Sequence, residues 1–248
     1  MLCRLCGASA ETFQAGGTTY AECPVCSYTG VDAAVIPTPE AEAARYRLHQ
    51  NSYEDERYRV WITDFLDATA GFMPAGARVL DFGSGPEPVP ARLLAERGCA
   101  VTIFDPFFAP GEDWRNSTWD AILVHEVAEH LADPLPVLSE LAGLLVPGGA
   151  LCVRTRFPPV VYEINAAIRN STSSGSHAKL DRAGFAHWRY RMDETHVGFF
   201  SEQSMEWLAS RLRLGLALLE RPDRTVFKSG VAPMWQMNEN RLSWKNTL

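Results

Sequence analysis

The stretch from Arg78 to Pro88 leaves this chain few folds to choose from. Arg78-Val-Leu-Asp-Phe82 is a short apolar run with one acid near its end, and it breaks at once into Gly83-Ser84-Gly85-Pro86 before helical spacing begins near Val89. Strand, glycine turn and helix in that order bring a ligand against backbone N–H groups at a helix N-terminus. Gly83 and Gly85 permit positive φ and close backbone approach. A second apolar run, Cys99 to Phe104, ends on Asp105, twenty residues after Gly85. An acid at that place can accept two hydrogen bonds from a ribose diol. A glycine pair alone closes many ordinary βα units, but the pair together with Asp105 points to a nucleotide cofactor. A dinucleotide fingerprint needs a third glycine, and this chain has Pro88 there.

Strand and helix patterns alternate around this stretch, which implies a parallel sheet. Strands are expected at Arg78–Phe82, Ala100–Phe104, Ala121–His125 and Ala150–Thr155, and helices at Val89–Arg97 and Pro134–Leu145. Pro147-Gly148-Gly149 reads as a helix stop and turn. Glu202–Leu212 reads as a helix with Ser201 as its N-cap. Leu214–Glu220 and Thr225–Val231 read as a hairpin across Arg221-Pro-Asp-Arg224. Ahead of the first strand, Ala41–Leu48 is helix-prone, and Tyr58, Trp61, Ile62, Phe65 and Leu66 keep helical spacing within Glu54–Ala70.

The N-terminus is of another kind. Cys3-x2-Cys6, a gap of sixteen residues and Cys23-x2-Cys26 have the spacing of a four-cysteine zinc ribbon. The strands between them are short and polar, so a metal must replace the missing core. Two disulfides are the alternative, which a reducing compartment disfavours. Four thiolates close the tetrahedron, so such a site is structural rather than catalytic. Cys99 and Cys152 lie in or beside expected strands and read as apolar filler. The expected organisation is a ribbon over 1–30, a linker and N-terminal helices over 31–75, and the main domain over 76–248 with an insertion at 157–200.

Two short strings, Val79-Leu-Asp-Phe-Gly-Ser-Gly-Pro86 and Val101-Thr-Ile-Phe-Asp105, closely resemble the first two motifs of class I S-adenosylmethionine-dependent methyltransferases. Trp119-Asp120-Ala-Ile-Leu, His125-Glu-Val-Ala-Glu-His130-Leu and Leu145-Val-Pro-Gly-Gly149 continue the resemblance in order, over roughly Ala77 to Phe157. The resemblance implies a Rossmann-like α/β sheet of seven strands, mostly parallel, closing in an antiparallel C-terminal hairpin. It also implies S-adenosylmethionine as cofactor, with Asp81, Gly83, Ser84, Gly85, Asp105, Pro106, His125 and Glu126 as the residues to hold it. Two departures stand out. Only fourteen residues separate Asp105 from Asp120, where the family fits a helix and a third strand, and Glu87 stands where the family commonly has a glycine. Phe104, Pro106 or Phe107 is then the expected wall for adenine.

Methyl transfer from a sulfonium asks chiefly for alignment and exclusion of water, with a general base for some acceptors. Three segments could supply the site. The first is His125-Glu126, followed by Glu129 and His130, which read as local capping or pairing; histidines five apart do not make a zinc-protease pair. The second is the long connection from Phe157 to Ser201, where His177, His187, Tyr190, Asp193 and His196 crowd among aromatics. Its Ser171–Ser176 run is flexible in composition. His196, His125 and Tyr190 are the catalytic candidates. The bland alternative is a sealed aromatic loop with Asp193 bonded to Thr195, and no tight spacing supports a metal held by His187, Asp193 and His196. The third is Tyr46 to Tyr53, where His49, Asn51 and Tyr53 could cover the cofactor.

With a net charge of −7 and no basic run, the chain does not suit the phosphate contacts of an RNA methyltransferase. No membrane span or signal pattern is visible, so the cytoplasm is the expected compartment. The expected partner is a small-molecule methyl acceptor of the sugar or secondary-metabolite type. A competing reading is a degenerate methyltransferase-fold scaffold whose ribbon docks a protein partner.

Overall fold

The computed structural model describes residues 1–48, 52–111, 113–163 and 177–230. His49, Asn51 and the Ser171–Ser176 run lie outside the described residues. Among those described, no helix is long and apolar enough to cross a membrane.

Three short strands come first: β1 (Glu11–Ala15), β2 (Thr18–Glu22) and β3 (Thr29–Val31). Helix α1 (Pro39–Tyr46) follows, capped by Thr38 Oγ1, and then α2 (Glu56–Ala70), capped by Asp55. The main domain runs β4 (Arg78–Phe82), α3 (Val89–Glu96), β5 (Ala100–Phe104), β6 (Trp119–His125), α4 (Pro134–Gly143) and β7 (Leu145–Arg154). A hairpin, β8 (Val160–Glu163) with β9 (His177–Leu180), leads into α5 (Arg182–His187) and the two-residue β10 (Gly198–Phe199). Helix α6 (Glu202–Leu212) and the hairpin β11 (Gly215–Glu220) and β12 (Arg224–Lys228) close the described chain.

The central sheet has six strands in the order β11-β12-β7-β6-β4-β5. Strands β5, β4, β6 and β7 are parallel, and the closing hairpin is antiparallel. Alternation along the strands covers both faces. Val79, Ala121, Leu123 and Cys152 pack under Ile62, Phe65 and Leu66 of α2 and Leu94 of α3. Leu80, Ile122, Val124 and Leu151 pack on Leu138 of α4 and Met205 and Leu208 of α6.

The seventh strand that the family resemblance implies is absent among the described residues. Where it would lie, the chain makes a bridge between Asp105 and Ala109 and a single helical turn at Asp113–Asn116. Trp114 on that turn is 2% exposed and wedges against Phe82 and Phe104, with ring centroids 5.5 and 5.0 Å away. One indole thus covers the sheet margin in place of a strand, and β5 is left as an edge. Pro147-Gly148-Gly149 is not the turn expected between α4 and a strand at Ala150. It lies inside β7 as an excursion: Trp119 pairs with Leu145 but Ala121 with Ala150.

The N-terminal strands do not stand alone. Their sheet has the order β1-β2-β3-β10, so the 198–199 segment of the insertion completes it. The C-terminal part of the insertion folds onto the same unit: Phe185 of α5 packs with Tyr20, Val31, Val197 and Phe199. Arg182 pairs with Glu22 at 2.8 Å, and Arg191 donates to Tyr20 Oη at 3.2 Å.

Candidate functional site

The carboxyl ends of β4, β5 and β6 meet at one edge of the sheet, where ligands bind in open α/β folds. The glycine turn follows β4. Gly83 has φ 78° and Gly85 φ 68°, both left-handed. A Cβ on Gly83 would lie 2.4 Å from Val127, whereas one on Gly85 would meet nothing within 4 Å. The turn is held from β5: the N–H groups of Gly83 and Ser84 both donate to Phe104 O, at 2.7 and 3.0 Å.

Asp105 is 5% exposed and grips the turn from β5. Its Oδ2 accepts from the Gly85 N–H at 2.9 Å, and its Oδ1 accepts from Phe107 and Phe108 at 2.9 and 3.1 Å. An ionised carboxylate has about four acceptor positions. Three are in use, so one remains for a ribose hydroxyl rather than the two that the sequence suggests.

Asp81, on β4, is 1% exposed. It accepts a backbone hydrogen bond from Ala91 in the first turn of α3, whose N-cap, Pro88, has no capping side chain. Its Oδ2 has no partner among the described residues. Burial, with the charge of Asp105 after it, raises its carboxyl to about 7. Ser84 Oγ and Glu126 Oε1 are likewise buried without a partner among those residues. Glu126 has φ 54°, a left-handed conformation that a glutamate adopts only when its surroundings enforce it. Burial and the neighbouring Glu129 push its carboxyl well above the usual range.

Glu87, at the position where the family has glycine, accepts from the Tyr53 N–H at 2.8 Å. Tyr53 in turn lies under the Arg92 guanidinium and donates to Glu96 at 2.9 Å, so it braces α3 instead of covering the turn. The cover comes from α1. Tyr46 sets its ring against Phe107 at 6.0 Å and His130 at 5.2 Å, and donates to Glu42 at 2.6 Å. Of the expected adenine walls, Phe104 is occupied by Phe82 and Trp114, Pro106 is exposed, and Phe107 faces the space under Tyr46.

A second polar group sits beside this one. Glu129, fully buried, and His130 lie in the helical turn after β6; they keep the expected local pair, His130 Nε2 to Glu129 Oε1 at 4.0 Å, and both also reach beyond it. Tyr190 donates to Glu129 Oε1 and meets His196 at a tilt, with ring centroids 4.2 Å apart. His196 and His130 meet with ring centroids 4.7 Å apart. The donor atoms of Glu129, His130 and His196 all lie within 4.8 Å of one another. Burial lowers the His130 imidazole to about 4 and pushes the Tyr190 phenol well above its usual range. The structure therefore joins His196 and Tyr190 from the insertion to Glu129 and His130. Sequence spacing could not show this, since the two pairs are some 61 residues apart.

His125 does not join them. It is 8% exposed and wedged between Trp61 and Phe65 of α2, with centroids at 4.8 and 5.2 Å. Burial, with the charge of Arg154 second, pushes it down to about 3. Asp193 accepts from Thr195 Oγ1 at 2.7 Å and pairs with Arg45, and no metal group of His187, Asp193 and His196 forms among the described residues. A cavity of about 400 Å³ lined by Phe72, Met73, Asp120, Pro147 and Lys228 opens at the opposite, amino-terminal edge of the strands. The topology assigns it no ligand.

In the ribbon, Cys3, Cys6, Cys23 and Cys26 carry free thiols whose sulfurs all lie within 4.8 Å of one another. Cys3 and Cys26 Sγ are 3.6 Å apart, and Cys6 and Cys23 Sγ are 3.4 Å apart. A tetrahedral zinc with sulfurs at 2.3 Å spaces them by about 3.8 Å. The two loops share one form: the N–H of Gly7 donates to Cys3 O and that of Ser27 to Cys23 O, each at 2.9 Å. The donor set fits a closed tetrahedral ion.

Residues 51–220 match the family described as a methyltransferase domain. No curated protein matches the chain. Among solved structures the chain is similar to CalO1, a methyltransferase in calicheamicin biosynthesis in its SAH-bound form, with 16% identity, a TM-score of 0.47, and coverage of 77% of this chain and 58% of that one. It is similar to human N-acetylserotonin methyltransferase in complex with SAM at 14% identity and a TM-score of 0.48, covering 79% of this chain and 61% of that one. It is also similar to the 1,6-didemethyltoxoflavin-N1-methyltransferase of Burkholderia thailandensis, at 18% identity and a TM-score of 0.47, covering 90% of this chain and 99% of that one. The chain thus spans about three fifths of the length of the first two.

Proposed function

The chain belongs to the methyltransferase-domain family, and on that premise we propose that it is an S-adenosylmethionine-dependent methyltransferase whose acceptor is a small molecule. The observation that carries the cofactor is the set of unpartnered acid oxygens at the carboxyl ends of the strands: Asp81 Oδ2 and Glu126 Oε1 are buried, and neither has a hydrogen-bond partner among the described residues. A ligand that brings an ammonium supplies a charged donor to such an oxygen, and its sulfonium adds positive charge beside the acids; a neutral nucleotide brings neither. In this reading the turn from Gly83 to Gly85 approaches the methionine part with its backbone, and the free oxygen of Asp81 accepts from the ammonium. Asp105 takes one ribose hydroxyl at its last acceptor position, and Phe107 under Tyr46 shields adenine.

When bound, the sulfonium supplies an activated methyl group. The protein's own part is then to align the acceptor, exclude water and direct a proton. The acceptor lies against Tyr190, His196, His130 and Glu129, the polar group next to the glycine turn. An acidic chain with two rings, Tyr46 and Phe107, over this group suits a compact uncharged or cationic acceptor better than a polyanion. The ribbon takes a structural zinc ion through Cys3, Cys6, Cys23 and Cys26, and cysteines kept for metal rather than for disulfides suit a reducing compartment such as the cytoplasm.

Isothermal titration with S-adenosylhomocysteine tests the cofactor. The wild-type protein should bind it, and NAD should not compete. Gly85→Ala adds a Cβ that meets nothing in the free protein, so binding should fall at least tenfold, beyond any small loss of stability. No binding at millimolar ligand would overturn the proposal.

A further inference from the structure

The two histidines beside Tyr190 are held in one tautomer by the fold. His130 Nδ1 lies 2.9 Å from Thr195 O, and His196 Nδ1 lies 2.6 Å from Tyr190 O. A carbonyl oxygen only accepts, so each Nδ1 carries the hydrogen, and Nε2 is the nitrogen left to offer a lone pair to a metal. A backbone carbonyl on the far nitrogen is the support that metal-ligating histidines commonly have. Glu129 faces the same space from below, fully buried. Its Oε1 is oriented by the Tyr190 hydroxyl, and its Oε2 has no partner among the described residues.

From this geometry we propose that Glu129, His130 and His196 bind a divalent transition-metal ion, at a site separate from the ribbon. Two imidazole nitrogens and one carboxylate oxygen are the donor set of open metal sites, including those of zinc and of ferrous iron. The donor atoms lie within 4.8 Å of one another, and His130 Nε2 is 4.0 Å from Glu129 Oε1. Bonds of about 2.1 Å need donors roughly 3–3.4 Å apart, a closure that side-chain rotation can supply. A cation here would neutralise a buried carboxylate whose hydrogen-bond donor is a phenol rather than a charged side chain. Three ligands leave positions for water or for an oxygen of the acceptor. The four sulfurs of the ribbon leave none.

Mn2+ is the probe, because four thiolates hold it poorly while nitrogen and oxygen donors hold it well. Protein purified with its ribbon loaded is titrated with Mn2+ and followed by electron paramagnetic resonance. One Mn2+ per chain should bind, its spin-echo modulation should show two imidazole nitrogens, and Zn2+ should displace it. Tyr190→Phe removes the hydroxyl that orients Glu129 and should weaken binding about ten- to a hundred-fold. His196→Ala should abolish it. Absence of bound Mn2+ at millimolar concentration, modulation without imidazole nitrogen, or undiminished binding in His196→Ala would each overturn the proposal. If His196→Ala does not fold, the wild-type nitrogen modulation decides alone. The metal reading is independent of the cofactor reading: binding of S-adenosylhomocysteine without Mn2+ sinks only the first, and the reverse result sinks only the second.

Discussion

Asp81 has one oxygen committed to the N-terminus of α3 and the other free. Its carboxyl titrates at about 7 in the folded protein, against roughly 3.9 when exposed. Between those values the folded state keeps a proton that the unfolded state gives up. The stability this provides is present below about pH 4, declines as pH rises through 7 and is gone above it. An ammonium in the site needs the ionised form. At pH 6, binding of S-adenosylhomocysteine should therefore release close to one proton, and at pH 8.5 almost none. Titrations in buffers of different ionisation enthalpy measure this directly. Asp81→Asn should remove the release and weaken binding at pH 8.5 by about tenfold or more. Equal heats in every buffer at pH 6 would refute the assignment. That Asp81, the glycines and Asp105 meet at one edge of the sheet was legible in the sequence, because one strand, one turn and the next strand carry them all. That Asp105 spends three of its acceptor positions on backbone was not legible, and Asp105→Ala is consequently expected to loosen the turn as well as the cofactor. The local pair of Glu129 and His130 was legible, but their contacts with Tyr190 and His196 were not, because those residues arrive from another part of the chain.

Among the elements, β10 has the least sequence signal and a large consequence. Two residues, Gly198 and Phe199, leave no periodicity to read, yet they join the insertion to β3. Around them Val31 donates to Val197 O at 3.0 Å, Val197 donates to Glu129 O at 2.8 Å, and Arg4 reaches Ala132 O at 2.8 Å. The ribbon therefore braces the segment that carries His196. Gly198 faces the ribbon so closely that an added Cβ would lie 2.0 Å from Tyr28 Oη. Gly198→Ala should push β10 off β3, displace His196 and cut turnover at least tenfold, while affinity for S-adenosylhomocysteine changes by less than threefold. Loss of cofactor affinity in parallel would show that the ribbon acts through the whole sheet. The cysteine spacing made the cluster of four sulfurs legible. The ribbon's fourth strand was not, because that strand comes from the far end of the insertion. The Pro147-Gly148-Gly149 excursion looks like a plain turn in the sequence for a related reason: a break in pattern marks an interruption without saying whether a strand resumes on both sides.

At the scale of the whole molecule, the division after residue 30 does not correspond to a division of the core. Cys3, Leu5, Cys23, Cys26 and Tyr28 belong to the same apolar cluster as Phe200, Met205 and Leu208, which in turn pack on the sheet. Ser204 Oγ, inside α6, donates to Cys26 O at 2.9 Å. Tyr28 meets Phe200 edge-on at 5.1 Å. An independent ribbon would lose its metal, unfold alone at low temperature and leave the main transition where it was, the behaviour its cysteine spacing and polar strands suggest. A ribbon that shares its core with α6 cannot do so, because its departure would expose Phe200 and Met205, which are 0% and 1% exposed in the folded protein. Burying a side chain of that size is worth about 1.5–3 kcal/mol, so the loss passes to the rest of the fold. Calorimetry should accordingly show one transition in the metal-loaded protein. Cys23→Ser, or removal of the ion by a chelator, should lower that single transition by on the order of 10 °C, since each kcal/mol shifts Tm by about 2–4 °C in a chain of this size. An early, small transition followed by an unchanged main one would show that the ribbon is a separate module, and its bracing of His196 would fall with it.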